Sequence, residues 1–170
     1  METLFYFLGG KTMNAKKERM TAVFLDVDSV LKDEETNEID EEKLERLAKV
    51  CETVDAKIVL YTNYKYAFNN EFRPKNEKAK KLADGFHRHN LSLYRTPNFL
   101  TEDDVKHHRT NLIRPNEVIR FLVDYNVDKF SILSADKIRD RDLAKNQIIV
   151  SNGLDGDEIN NLVAMLTNTK

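Results

Sequence analysis

The sequence predicts an α/β protein: a three-layer, doubly wound, mostly parallel sheet with helices on both faces. Short runs that are apolar throughout recur at Thr21–Val27, Lys57–Tyr61, Leu91–Tyr94, Phe130–Leu133 and Gln147–Val150, as expected of strands buried on both sides. Between them lie segments whose apolar residues repeat at helical spacing. Strands alternating with helices wind through right-handed crossovers into a Rossmann-like fold. At 170 residues the chain suffices for one core and is short for two.

Each element has a local reason. Thr21–Val27 runs into the polar, acidic stretch Ser29–Ile39, which reads as a loop or small hairpin. Asp40 caps a helix with Glu41 and Glu42 in its first turn and Leu44, Leu47, Cys51 and Val54 on its inner face. KIVLY forms the second strand and stops at Thr62-Asn63. Ala79, Leu82, Ala83 and Phe86 mark the next helix, and Thr96-Pro97 ends the weak third strand. Pro115 suits the first turn of a helix facing inward through Val118, Phe121, Leu122 and Tyr125. FSIL makes the fourth strand, a polar helix spans Lys137–Leu143, and the fifth strand follows. Asp155-x-x-Glu158 is a capping box opening a last helix with Ile159, Leu162, Val163 and Leu166 inside.

Composition narrows the function classes. Charged residues make up 33% of the chain and the net charge is −2, so no global field invites nucleic acid or an anionic membrane. The lone Cys51 has no disulfide partner, which favours a reducing, cytoplasmic setting. Leu4–Gly10 is too short to span a bilayer, and its basic residues follow rather than precede it; residues 1–19 read as an arm attached to a domain spanning 20–170. No glycine-rich G-x-G-x-x-G or G-x-x-x-x-G-K loop occurs, which argues against dinucleotide and P-loop chemistry.

In such a sheet, ligands bind beyond the carboxyl ends of the strands. The first strand delivers Asp26 and Asp28, the second Thr62 and Asn63, the fourth Ser134, Asp136 and, further on, Asp140; Arg114 stands before the predicted helix start. Taken singly, these are turn formers, caps or solvated charges. Together they gather carboxylates, a hydroxyl and a cation at one rim. Three carboxylates side by side call for a divalent cation, and oxygen ligands without Cys or His suit Mg²⁺. Asp26 could then attack phosphorus, with Asp28 as acid and base. Thr62 would hold phosphate oxygens and Arg114 would balance their charge.

These residues resemble the haloacid dehalogenase-like (HAD) superfamily of phosphotransferases. VFLDVDSVL is similar to its first motif, KIVLYTN to its second, Arg114-Pro115 to its third and Asp136-Lys137-Ile138-Arg139-Asp140 to its fourth. A narrower likeness is to the HAD domains grouped with bacterial RNA-repair proteins, through Thr96-Pro97, Arg114-x-x-Glu117-Val118 and Gly153-Leu154 to Glu158. The resemblance implies a Mg²⁺-dependent phosphatase working through an aspartyl-phosphate. Asp26 would be nucleophile and metal ligand, and Asp28 acid/base with its backbone carbonyl on the metal. Thr62, Asn63 and Arg114 would bind substrate; Asp136 would complete the metal site, with Asp140 as a further metal-side carboxylate. Ser29 and Arg114 stand where the family more often has Gly and Lys, Ala135 replaces Gly, and Ser134 sits where some relatives carry another acid. The last two keep a degenerate or receiver-like phosphate-binding module as the alternative.

Neither Asp28–Asp40 nor Asn63–Arg114 leaves room for a substantial cap domain, so the site is expected to be open. An open site suits a bulky phosphorylated substrate such as a nucleic-acid end, without excluding small esters. The aromatic and basic residues Tyr64, Lys65, Tyr66, Phe68 and Arg73 could bind single strands, although packing against the sheet edge is the simpler reading. His87, His89, His107 and His108 lack zinc-site spacing and read as solvated loop residues.

Overall fold

β1 (Met20–Leu25) lies at the centre of the sheet because its residues are apolar on both sides. It pairs in parallel with β2 (Ala56–Leu60) and with β4 (Val127–Ser134), and β3 (Leu93–Arg95) and β5 (Gln147–Ile149) complete the edges. The order is β3-β2-β1-β4-β5, all parallel. The computed structural model describes residues 18–151 and 153–168. The expected arm therefore lies outside the described residues, apart from Glu18 and Arg19.

Alternate side chains of each strand feed two cores. Val23, Leu25, Ile58, Leu60 and Leu133 pack under α2 (Glu41–Thr53), α3 (Glu77–His87) and α7 (Gly156–Thr167). Ala22, Phe24, Val59, Tyr61 and Ile132 pack under α5 (Thr110–Asp124) and α6 (Arg141–Ala144). Strands covered on both faces cannot alternate with polar residues, so these runs are uniformly apolar. The three-layer prediction holds, and no cap-sized insertion occurs among the described residues.

The helix starts follow local chemistry. Asp40 accepts hydrogen bonds from the N–H groups of Glu42 (2.9 Å) and Lys43 (3.2 Å), and Asp155 and Glu158 form the expected capping box. Ser29–Ile39 begins within the single-turn α1 (Val27–Val30) and continues as a small flap closed by an antiparallel bridge between Lys32 and Ile39. The short α4 (Glu102–Lys106) was not expected, although its Thr101-x-x-Asp104 capping box stands in the sequence; no apolar run follows the box to announce a helix.

Four expectations about the helices need correction. The helix predicted from Pro115 starts at Thr110, with Pro115 buried inside it. A proline there removes the one N–H that would reach the Asn111 carbonyl, while its φ still suits a helix. Arg114 is therefore within the helix, and the free N–H groups of the helix start lie a turn earlier. The polar helix starts at Arg141 rather than Lys137, because Asp140 caps it through the N–H groups of Asp142 and Leu143, both at 2.9 Å. Val163 is exposed, and Ile159 and Met165 flank the buried Leu162 and Leu166 instead. α7 packs beside α2 and over β4 and β5, the last of which is the sheet's edge. Tyr125 is also exposed, but its ring stacks on Phe121 with centroids 4.2 Å apart.

His89 is not a solvated loop residue. Its ring lies between Glu45 (3.1 Å) and Glu52 (3.2 Å), tying the end of α3 to α2. Hydrogen bonds to Glu45 and then Glu52 raise its pKa above the usual value of 6.5. A raised folded-state pKa contributes stability that is complete below the unfolded pKa and is lost as pH rises through the folded one. The urea midpoint is expected to fall between pH 6 and pH 8 by an increment that His89→Gln removes; an identical pH profile in the variant would refute this.

Candidate active site

Parallel register brings the chemistry together. Leu25 pairs with Leu60 on one side and with Leu133 on the other, so the residues after β1, β2 and β4 emerge at one rim. Strand order reverses at β1, which places this rim at the topological switch point. The Asp26 N–H donates to the Leu133 carbonyl at 3.0 Å, fastening the end of β1 to β4 where Asp26 turns into α1.

Asp26 precedes α1, but its side chain makes no cap hydrogen bond, which removes the simplest local explanation for an aspartate at that point. Its two oxygens instead accept from Thr62 Oγ1 and Ser29 Oγ, each at 2.8 Å. Ser29 Oγ also accepts from the Ala135 N–H at 3.1 Å, so one hydroxyl joins the loops after β1 and β4. Those loops carry Asp26 and Asp136.

The loop after β4 is clamped by a residue outside the sequence prediction. Gln147 Nε2 donates to Ser134 Oγ (2.9 Å) and to the Asp136 carbonyl (2.7 Å), while its Oε1 accepts from the Ile138 N–H (2.9 Å). Ser134 Oγ donates to the same Asp136 carbonyl at 2.7 Å. A glutamine opening a short strand carries no local signal for this. Arg114 Nη2 donates to Asn63 Oδ1 at 2.7 Å, joining α5 to the 3₁₀ turn Asn63–Ala67 after β2.

A cleft follows from these contacts, lined by Asp26, Tyr61, Thr62, Arg114, Ser134 and Asp136, with Lys137 and Arg139 on its lip. Burial, aided by the nearby carboxylates of Asp26 and Asp136, raises the Tyr61 phenol above its usual range, so its hydroxyl is neutral. Four predicted residues, Asp26, Thr62, Arg114 and Asp136, thus share one cleft, with Asn63 directly behind Arg114.

Asp28 and Asp140 do not join them. Asp28 pairs with Lys32, one turn on, and does not line the cleft. Asp140 is spent on capping α6. The picture of three carboxylates crowded together is corrected accordingly: two face the cleft, and no group of three or more His, Cys, Asp or Glu placed to hold a metal occurs among the described residues. The aromatic segment after β2 mostly packs inward. Tyr64, Lys65 and Phe68 are buried and Phe72 stacks on Phe68 at 4.7 Å, leaving Tyr66 exposed. Lys65 meets Glu117 there in a buried ion pair.

A doubly wound domain with acids after its first and fourth strands and a hydroxyl after its second has the architecture of the HAD-like class. The chain matches the family described as HAD domain in Swiss Army Knife RNA repair proteins over residues 22–156, and it belongs to that family. That membership makes it a HAD-like phosphoryl-transfer hydrolase in general terms. Neither the curated proteins nor the solved structures give a match. No helix among the described residues is long and apolar enough to cross a membrane.

Proposed function

We propose that the chain is a Mg²⁺-dependent phosphatase that cleaves phosphate monoesters through an aspartyl-phosphate on Asp26, with residues 20–170 acting as one domain. The observation that carries this reading is the convergence of Asp26, Thr62, Arg114 and Asp136 on one cleft at the switch point. Asp26 and Asp136 supply hard carboxylate oxygens without Cys or His. That donor set fits Mg²⁺, which keeps several waters and takes one or two protein carboxylates beside a substrate phosphate. Bound there, the ion would offset the negative charge of carboxylates and phosphate as they approach.

The protein's own groups supply the rest. Thr62 and Ser29 hold the Asp26 carboxylate in one orientation, so one of its oxygens can be presented to phosphorus. As the Asp26 O–P bond forms, the ester P–O bond breaks and the leaving oxygen takes a proton from Asp28. Water then attacks the phosphoryl group, Asp28 takes its proton, and inorganic phosphate leaves with Asp26 restored. Asp28 must first leave Lys32. That i,i+4 pair is partly exposed, so turning away costs on the order of 0.5 kcal/mol. Arg114 offsets charge on the non-bridging oxygens, with Asn63 steadying the guanidinium.

Lys137 and Arg139 also border a neighbouring open groove with Arg141, Lys145 and one acid, the helix-capping Asp140. Lys145 pairs with Asp142, whereas Lys137, Arg139 and Arg141 make no ion pair among the described residues. A basic lip on a chain of net charge −2 favours a substrate whose charge extends past the reacting phosphate, such as a phosphorylated nucleic-acid end. Small esters, nucleotides and 3′- or 5′-phosphorylated oligonucleotides, screened with Mg²⁺, test this. Oligonucleotide turnover that falls steeply with salt is expected, and turnover confined to small metabolites would refute the substrate class.

Ser29→Ala removes one bond to the nucleophile and the link to Ala135. It is expected to slow turnover about tenfold, the equivalent of one hydrogen bond to a charged group. An unchanged kcat would show that Thr62 alone suffices. One observation favours a second reading, a phosphate-binding module without turnover: the Asp28 carboxylate is held by Lys32 outside the cleft. A stable phospho-adduct with no release of phosphate would select it.

A further inference from the structure

Glu117 stands three residues after Arg114 on α5, a spacing at which a carboxylate and a guanidinium on one helix ordinarily pair. No ion pair joins them. Glu117 Oε2 accepts from Lys65 Nζ at 2.7 Å and Oε1 accepts from the Phe99 N–H at 2.7 Å. Lys65 Nζ also donates to Thr96 Oγ1 (3.2 Å) and to the Pro97 carbonyl (2.9 Å). Both side chains are almost wholly inaccessible, at 2% and 0% exposure. Arg114 is left with a neutral partner, Asn63, two residues before Lys65 on the same 3₁₀ turn.

We propose that Lys65 is a positioning residue that sequesters Glu117, so that the charge of Arg114 stays available to an anion in the cleft. This rests on the reading of Arg114 as the counter-charge to phosphate. A buried carboxylate that loses its cation is costly and must either find another or take up a proton. If the Lys65 ammonium is removed, two cations stand one turn away on the same helix. Arg120 is exposed and already paired with Asp124 at 2.9 Å, so the half-buried Arg114 is the one left to turn to Glu117, and pairing with it would neutralise the cleft. Arg114 is close enough for its charge to be felt at Lys65, whose pKa is lowered by burial first and by Arg114 in addition.

Two measurements on the full chain test the assignment: calorimetric titration with inorganic phosphate, and reaction of Arg114 with phenylglyoxal followed by peptide mass spectrometry. Lys65→Gln keeps a donor for Thr96 and Pro97 while releasing Glu117. It is expected to weaken phosphate binding at least about tenfold, the loss of one charge-assisted contact, and to slow labelling of Arg114. The double variant K65Q/E117Q has no carboxylate to release and strands no charge, so it is expected to keep wild-type binding and labelling. A mere strut predicts the reverse, with the double variant at least as weak as K65Q. Unchanged labelling in K65Q, or no recovery in K65Q/E117Q, overturns the proposal. If K65Q fails to fold, K65M/E117Q decides alone: wild-type labelling supports sequestration and slowed labelling overturns it. A wild-type chain that binds no phosphate would sink the phosphatase reading, while the labelling result would still decide on Lys65.

Discussion

Asp26→Asn is expected to reduce Mg²⁺-dependent hydrolysis of a chromogenic phosphate ester by on the order of 10⁴-fold or more, since loss of a nucleophile is among the largest single-residue effects in covalent catalysis. The substitution is nearly isosteric. Thr62 and Ser29 donate to the carboxylate, but hydroxyls also accept, so an amide can keep both contacts once one hydroxyl rotates. The variant should melt close to wild type, separating a chemical loss from a folding one. Asp28→Asn removes only proton transfer and is expected to cost a smaller ~10²–10⁴-fold. Steady-state rates of the two variants, with thermal unfolding as control, check both. Wild-type turnover by Asp26→Asn would exclude the aspartyl-phosphate route whatever the metal does.

The strands were legible because a parallel sheet covered on both faces demands uninterrupted apolar runs, and the register of parallel strands follows from their common direction. That logic carried Asp26, Thr62 and Asp136 to one rim, since each follows a strand that pairs at or beside Leu25. What escaped the sequence depends on partners distant along the chain, or on choices that local chemistry leaves open. An aspartate can cap a helix or face a ligand with the same flanking residues: Asp140 caps, Asp26 does not. Pro115 suits a first turn and is tolerated at the sixth helical position when a lead-in turn forms. Asp28 could face the cleft or Lys32, and a contact four residues away decided it. Gln147 and Lys65 gave no signal, because their partners at Ser134, Asp136 and Glu117 are neighbours only after folding. Lys65 stands among aromatics that invite a nucleic-acid reading, and burial shows instead that the segment packs inward.

Lys65→Met is expected to be the most destabilising substitution near the site, at about 3–5 kcal/mol, because it strands a buried carboxylate without its cation. Native domains have only about 5–15 kcal/mol to lose, so this variant sits close to the limit of folding. Thr96 Oγ1 and the Pro97 carbonyl also lose a donor, whereas Glu117 retains only the Phe99 N–H. Most of the cost comes from breaking the pair rather than from lacking one, since a buried pair replaced whole is often close to neutral. K65M/E117Q should therefore recover more than half of the loss. Urea midpoints with an unchanged m-value measure this as a stability change. If the double variant is as unstable as Lys65→Met, the cost lies in packing or in the Thr96–Pro97 contacts, and the carboxylate is not the reason a lysine is buried there.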